Sequence, residues 1–158
     1  MCAMRSCRAP APSRAGLTLA ELTVLLAVIG VLFSLSLPAF ISYYQGAHVR
    51  AAAAAIAAYL NEGRQLAIHR NQSTCVHITA TTLHYHLGTC AAGAVWLGPG
   101  TDGKGEIPVP AGITMTPTTN PVFTNLGAAA PAATILVTQG RYSLRVAVSA
   151  SGRVTVGP

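Results

Sequence analysis

Three histidines lie between two cysteines in one short stretch of the chain: Cys75, His77, His84-Tyr85-His86, Cys90. Residues i and i+2 of a strand project from the same face, so His84 and His86 share a side and His77 can approach from a partner strand. Three imidazoles are a zinc-type ligand set. The spacing fixes no carboxylate or further ligand, however, and histidines on a half-exposed strand satisfy the same pattern, so no metal is assigned. A second stretch, Gly100-Thr101-Asp102-Gly103-Lys104-Gly105-Glu106, invites comparison with calcium loops, which need several oxygen ligands at fixed positions. Two carboxylates with a lysine between them fall short, and a solvated turn is the expectation.

An enzyme is hard to build from these residues. Asp102 is the only aspartate, and beyond Glu21 the glutamates are Glu62 and Glu106, so a carboxylate pair for acid–base work is lacking. A Ser/His/Asp arrangement would have to recruit Asp102 from a glycine-rich loop, with no nucleophile-elbow motif in view. No catalytic residue and no cofactor is expected.

The elements that must carry these residues begin with an apolar run. Residues 22–41 hold twenty positions without a charge, which matches the roughly 20 residues a helix needs to cross a bilayer. A secretory signal has a shorter apolar core and a small-residue cleavage site, and the sequence around Pro38 and Ala39 offers neither. Arg5, Arg8 and Arg14 precede the run while only Arg50 follows closely, so the positive-inside rule sets the N-terminus in the cytoplasm and the rest outside. Glu21, at the mouth of the run, is the exception: an ionisable residue at a membrane segment is a functional-site hypothesis until a partner is named. Beyond Pro38, an alanine-rich body with Val49, Ile56, Tyr59, Leu60, Leu66 and Ala67 at helical spacing continues the helix as a spine for a domain. Pro38 is expected to bend it, with Ser34 and Ser36 near enough to satisfy freed backbone groups. Gly63 either loosens the helix or allows close packing.

After Asn71 the texture changes to short runs of Val, Ile, Thr and Tyr separated by Gly, Pro and Asn. Strands are predicted near 74–79, 83–87, 94–97, 112–116, 121–124, 133–138, 142–149 and 153–157, with long irregular connections over 98–121. Leu144, Val146 and Val148 alternate with small or charged residues, and a turn at Ala150-Ser151-Gly152 brings Val154 and Val156 opposite Val148 and Val146. The 158 residues suffice for one domain on a long helix.

Gly16-Leu17-Thr18-Leu19-Ala20-Glu21, with a short basic leader before it and the apolar run with Pro38 after it, resembles the class III signal of type IV pilins and pseudopilins. The resemblance implies that a prepilin peptidase cuts after Gly16 and methylates Leu17, where phenylalanine is commonest in the family. It makes Glu21 the fifth and Pro38 the twenty-second residue of the mature chain, both positions used in assembly. A cationic α-amino group on Leu17 and a carboxylate on a neighbouring subunit tolerate low dielectric better together than either alone, so Glu21 reads as a register device. The C-terminal part, Phe123-Thr124-Asn125-Leu126-Gly127, Thr134-Ile135-Leu136-Val137 and Arg145-Val146-Ala147-Val148 running into Gly152-Arg153-Val154, more loosely resembles the GspH/FimT branch of pseudopilins.

Together these imply an α+β fold: a long N-terminal transmembrane and spine helix packed on a small two-sheet antiparallel β domain. The expected organisation is a leader over 1–16, a transmembrane helix half over 17–41, a periplasmic helix half over 42–70 and a β-rich domain over 71–158. The implied role is a minor pseudopilin of a type II secretion or type IV pilus machine, in the bacterial inner membrane, with prepilin peptidase and other pilins as partners. Cys2 and Cys7 fall in the leader, leaving Cys75 and Cys90, and an even pair in an exported domain reads as a disulfide. A hairpin near Thr81 and Thr82 would set the two roughly opposite each other.

The rival reading is a DNA-binding minor pilin. Some FimT-like proteins carry a C-terminal Gly-Arg-x-Arg motif for phosphates, and here Gly152-Arg153-Val154-Thr155 replaces the second arginine by threonine. Arg145 and Arg141 are the candidates to substitute for it beside Arg153. Removing the three leader arginines brings the net charge from +6 to +3, too mild an excess to argue for nucleic acid without clustering.

Overall fold

The computed structural model describes residues 18–158, and the side chains of all of these except 37–39. Gly16 and Leu17 therefore lie outside the described residues, as does the Pro38 side chain. The chain falls into two units, one up to Phe40 and one from Ile41 to Pro158.

Helix α1 (Leu19–Arg70) begins at Thr18, whose Oγ1 accepts the Glu21 backbone N–H at 3.3 Å while its carbonyl accepts the Leu22 N–H at 3.1 Å. That is an N-cap, and Thr-x-x-Glu is the capping-box spacing. In the first unit the stretch Leu19–Ser36 is long and apolar enough to span a membrane, and none of it is buried. Its few hydroxyls bond back to the helix, Thr23 to the Ala20 carbonyl, Ser34 to Val31 and Ser36 to Leu32, at 2.8–2.9 Å. Such local bonding lets hydroxyls sit in an apolar setting without an orphaned donor.

In the second unit the helix buries Val49, Ala52, Ala53, Ile56, Leu60 and Ala67, the three-and-four spacing of one face. Tyr59 and Leu66 pack at the edge of that stripe, half-buried. The helix ends where Asn71 takes a left-handed φ of 49°. Its N–H reaches the Ile68 carbonyl and that of Gln72 the Ala67 carbonyl, both at 3.1 Å, which is the Schellman pattern.

Nine strands follow: β1 (Thr74–Ile78), β2 (Thr82–Leu87), β3 (Ala94–Val95), β4 (Glu106–Pro108), β5 (Thr114–Pro117), β6 (Val122–Phe123), β7 (Ala133–Gln139), β8 (Tyr142–Val148) and β9 (Val154–Gly157). They form two antiparallel sheets. The first has the order β3-β2-β1-β6, with β4 also paired to β2; the second is β5-β7-β8-β9. Val76, Ile78, Leu83, Tyr85, Ile107 and Phe123 from the first sheet, and Met115, Ile135, Val137, Val146 and Val148 from the second, close one core with the helical stripe.

The β8–β9 register pairs Val146 with Val156 and Val148 with Val154, as the alternation predicts. The long irregular connection over 98–121 is interrupted by β4, which the sequence reading missed. Its three residues carry a proline and are preceded by glycines, a local turn signature. Pairing of Leu83 with Ile107, and burial of Ile107, makes them a strand.

Candidate functional surfaces

Gly63 is where the helix meets the first sheet most closely. A Cβ there would come 2.7 Å from Val76 Cγ2 and 3.2 Å from Tyr85 Cε1, so the glycine serves close packing. Tyr85, fully buried, donates its hydroxyl to the Tyr59 carbonyl at 2.8 Å, with Glu62 Oε2 at 3.4 Å. Burial first, then the Glu62 charge, push its phenol well above the usual tyrosine range.

The opposite face of the same strands carries the histidines. Core-facing Val76 and Ile78 alternate with Cys75 and His77, and Leu83 and Tyr85 with Thr82, His84 and His86. His77 stands directly opposite His84, and Cys75 opposite His86. Ring centroids are 5.9 Å apart for His77–His84, 5.8 Å for His77–His86 and 6.3 Å for His84–His86. Partial burial, then the charges of His86 and His84, hold His77 below the ordinary histidine range. His86 Nδ1 lies 3.1 Å from the Gly93 carbonyl, which selects the tautomer with its proton on Nδ1. Cys75 and Cys90 form a disulfide with a Cα–Cα distance of 5.2 Å. They are not cross-strand partners: Cys90 lies beyond the end of β2, where the chain turns at Gly88 and folds back toward Cys75.

Asp102 closes its own turn. One oxygen, Oδ1, accepts the Glu106 N–H at 2.7 Å and the Lys104 N–H at 2.8 Å, which holds the carboxyl below the usual range. The same bonds launch Glu106 into β4.

A third locus joins helix, loop and hairpin. Arg64 Nε donates to the Gly127 carbonyl at 2.9 Å, Ala129 N–H donates to the Ala150 carbonyl at 3.0 Å, and Asn125 Nδ2 donates to Asn71 Oδ1 at 2.9 Å. These bonds fix the turn that presents Arg153, whose carbonyl accepts the Ser149 N–H at 2.9 Å. Arg145 pairs with Gly157 and faces outward, and by strand parity Arg153 falls on the same side. Both are exposed, as is Arg141 in the turn before β8. Ser149, which bonds to Arg153, lies four positions beyond Arg145, so the two guanidinium stems stand roughly 13 Å apart along the sheet. Arg145 borders a shallow groove with Thr116, Thr118, Thr134 and Leu136.

The capping role of Thr18 and the Arg64–Gly127 bond are absent from the sequence reading. Thr-x-x-Glu was a visible signal for the first; nothing local marks the second.

No protein-family model and no curated protein matches the sequence. Solved structures do. The type IV minor pilin FimU of Pseudomonas aeruginosa superposes with a TM-score of 0.57 at 17% identity, covering 73% of this chain and 92% of FimU. A second crystal form of FimU gives 0.52 at 18%, over 69% and 92%. The minor pseudopilin EpsH from the type 2 secretion system of Vibrio cholerae gives 0.54 at 14% identity, over 69% and 95%. The likeness at these identities is one of fold: a long N-terminal helix packed on antiparallel sheets, as the sequence predicts.

Proposed function

We propose that this chain is a minor pilin or pseudopilin, a non-enzymatic filament subunit. It is made with a leader over 1–16, anchored through the helix over 17–41, and carries its domain outside the bacterial inner membrane. The observation that carries this is Glu21 in the first turn of an apolar, membrane-length helix, five positions after Gly16 in the sequence. The pilin-like domain fold supports it. Prepilin peptidase cuts after Gly16 and methylates Leu17; the helix then leaves the bilayer for a bundle of pilin helices, with Pro38 in its path. Glu21 of one subunit neutralises the α-amino group of its neighbour, because two opposite charges tolerate the apolar bundle better than one.

Two local effects also favour an acid at position 21, the capping box and the positive helix end. Glu21→Gln separates them from the assembly role, since glutamine keeps the capping-box chemistry and loses the charge. Both Glu21→Gln and Glu21→Ala are expected to be cleaved by the peptidase and to fail to enter filaments. Normal incorporation of Glu21→Gln defeats the charge-pairing mechanism.

A further inference from the structure

We propose that the outer face of the β1–β2 hairpin is a binding site for one zinc-class divalent ion, with His77, His84 and His86 as ligands. Imidazole nitrogens bound to zinc lie about 2.0–2.1 Å from it, so the centres of two bound rings are roughly 5 Å apart. The three rings here are 5.8–6.3 Å apart. As they stand, no three His, Cys, Asp or Glu side chains among the described residues form a ready cage. Binding would require the rings to close by about 1 Å, which rotation of the side chains on the hairpin would supply.

Three features preorganise the set. All three histidines lie inside the loop closed by the Cys75–Cys90 disulfide, so the backbone that spaces them is clamped at both ends. The ladder sets His77 directly against His84, while His84 and His86 share one face at i and i+2. The hydrogen bond from His86 Nδ1 to the Gly93 carbonyl leaves Nε2 as the donor to a metal, the outer-shell arrangement that orients ligating histidines. A fourth position is open to water or to Glu106, which stands opposite His84 on β4 while its neighbour Ile107 points into the core. Three imidazoles with an open fourth position suit zinc and its cobalt surrogate, whereas calcium and magnesium prefer all-oxygen sets.

The test uses the untagged full chain in detergent with Zn²⁺ alone, titrated against a chromophoric chelator. One Zn²⁺ per chain is expected. Single His77→Ala, His84→Ala and His86→Ala replacements are each expected to weaken it tenfold or more, and His48→Ala and His69→Ala to leave it unchanged. Thermal melts of the metal-free variants separate lost ligation from lost fold. Co²⁺ added to the unaltered chain gives a reading independent of any variant: intense visible bands of four-coordinate cobalt are expected. No saturable zinc binding, a pale six-coordinate cobalt spectrum, or affinity indifferent to His84 and His86 overturns the site.

Discussion

Gly152 meets Gly127 backbone to backbone: a Cβ on Gly152 would overlap the Gly127 carbonyl oxygen, the same oxygen that accepts Arg64 Nε at 2.9 Å. Both glycines have positive φ, +77° and +82°, a region that costs other residues about 1–2 kcal/mol. The contact ties the β8–β9 turn to the loop after β6 and, through Arg64, to the helix.

Gly152→Ala is therefore expected to destabilise the domain by about 2 kcal/mol or more, backbone strain and overlap acting together. Gly140 is the control, since its φ is +58° but nothing lies within 4 Å of an added Cβ. Gly140→Ala is expected to cost about 1 kcal/mol, from strain alone. Denaturant unfolding of both variants checks this, and equal losses would mean the Gly127–Gly152 contact contributes nothing.

Gly63→Ala reverses the usual rule. In an open helix interior, replacing glycine by alanine gains about 1 kcal/mol. Here the new methyl would press 2.7 Å from Val76 Cγ2 and 3.2 Å from Tyr85 Cε1, and overpacking costs about 1–3 kcal/mol. A net loss of stability is expected in thermal unfolding; a gain would show that the helix slides off the sheet at little cost.

The parts of the fold legible in the sequence were those set by local pattern. Alternation of Leu144, Val146 and Val148 around one turn fixes which residues face which, and the observed register agrees. Helical spacing of Val49, Ile56, Leu60 and Ala67 identifies the buried stripe. Even the meeting of His77 with His84 and His86 follows from strand parity. What stayed hidden depends on distant partners. Glu106-Ile107-Pro108 is a strand only because the free edge of β2 pairs with it, and Cys90 reaches Cys75 by a turn after the strand rather than across it. The Gly127–Gly152 contact joins residues that no periodicity connects.

Arg145 and Arg153 share the outer side of the second sheet, which keeps the DNA-binding reading testable. If that face grips phosphates, replacing both by alanine is expected to weaken duplex binding and lower the slope of log K against log salt by about 2. The Arg64–Gly127 junction is untouched, so the fold should persist by circular dichroism. A salt-sensitive complex that survives the double change places any DNA site elsewhere.

The mature N-terminus decides the central claim most directly. Intact mass and terminal peptide sequencing of the membrane-expressed chain, with and without a prepilin peptidase, read it in one experiment. A chain that begins at N-methylated Leu17 only when the peptidase is present is the expected result. An uncut chain, or one cut beyond Pro38, contradicts the pilin-type reading and leaves Glu21 as a helix cap alone.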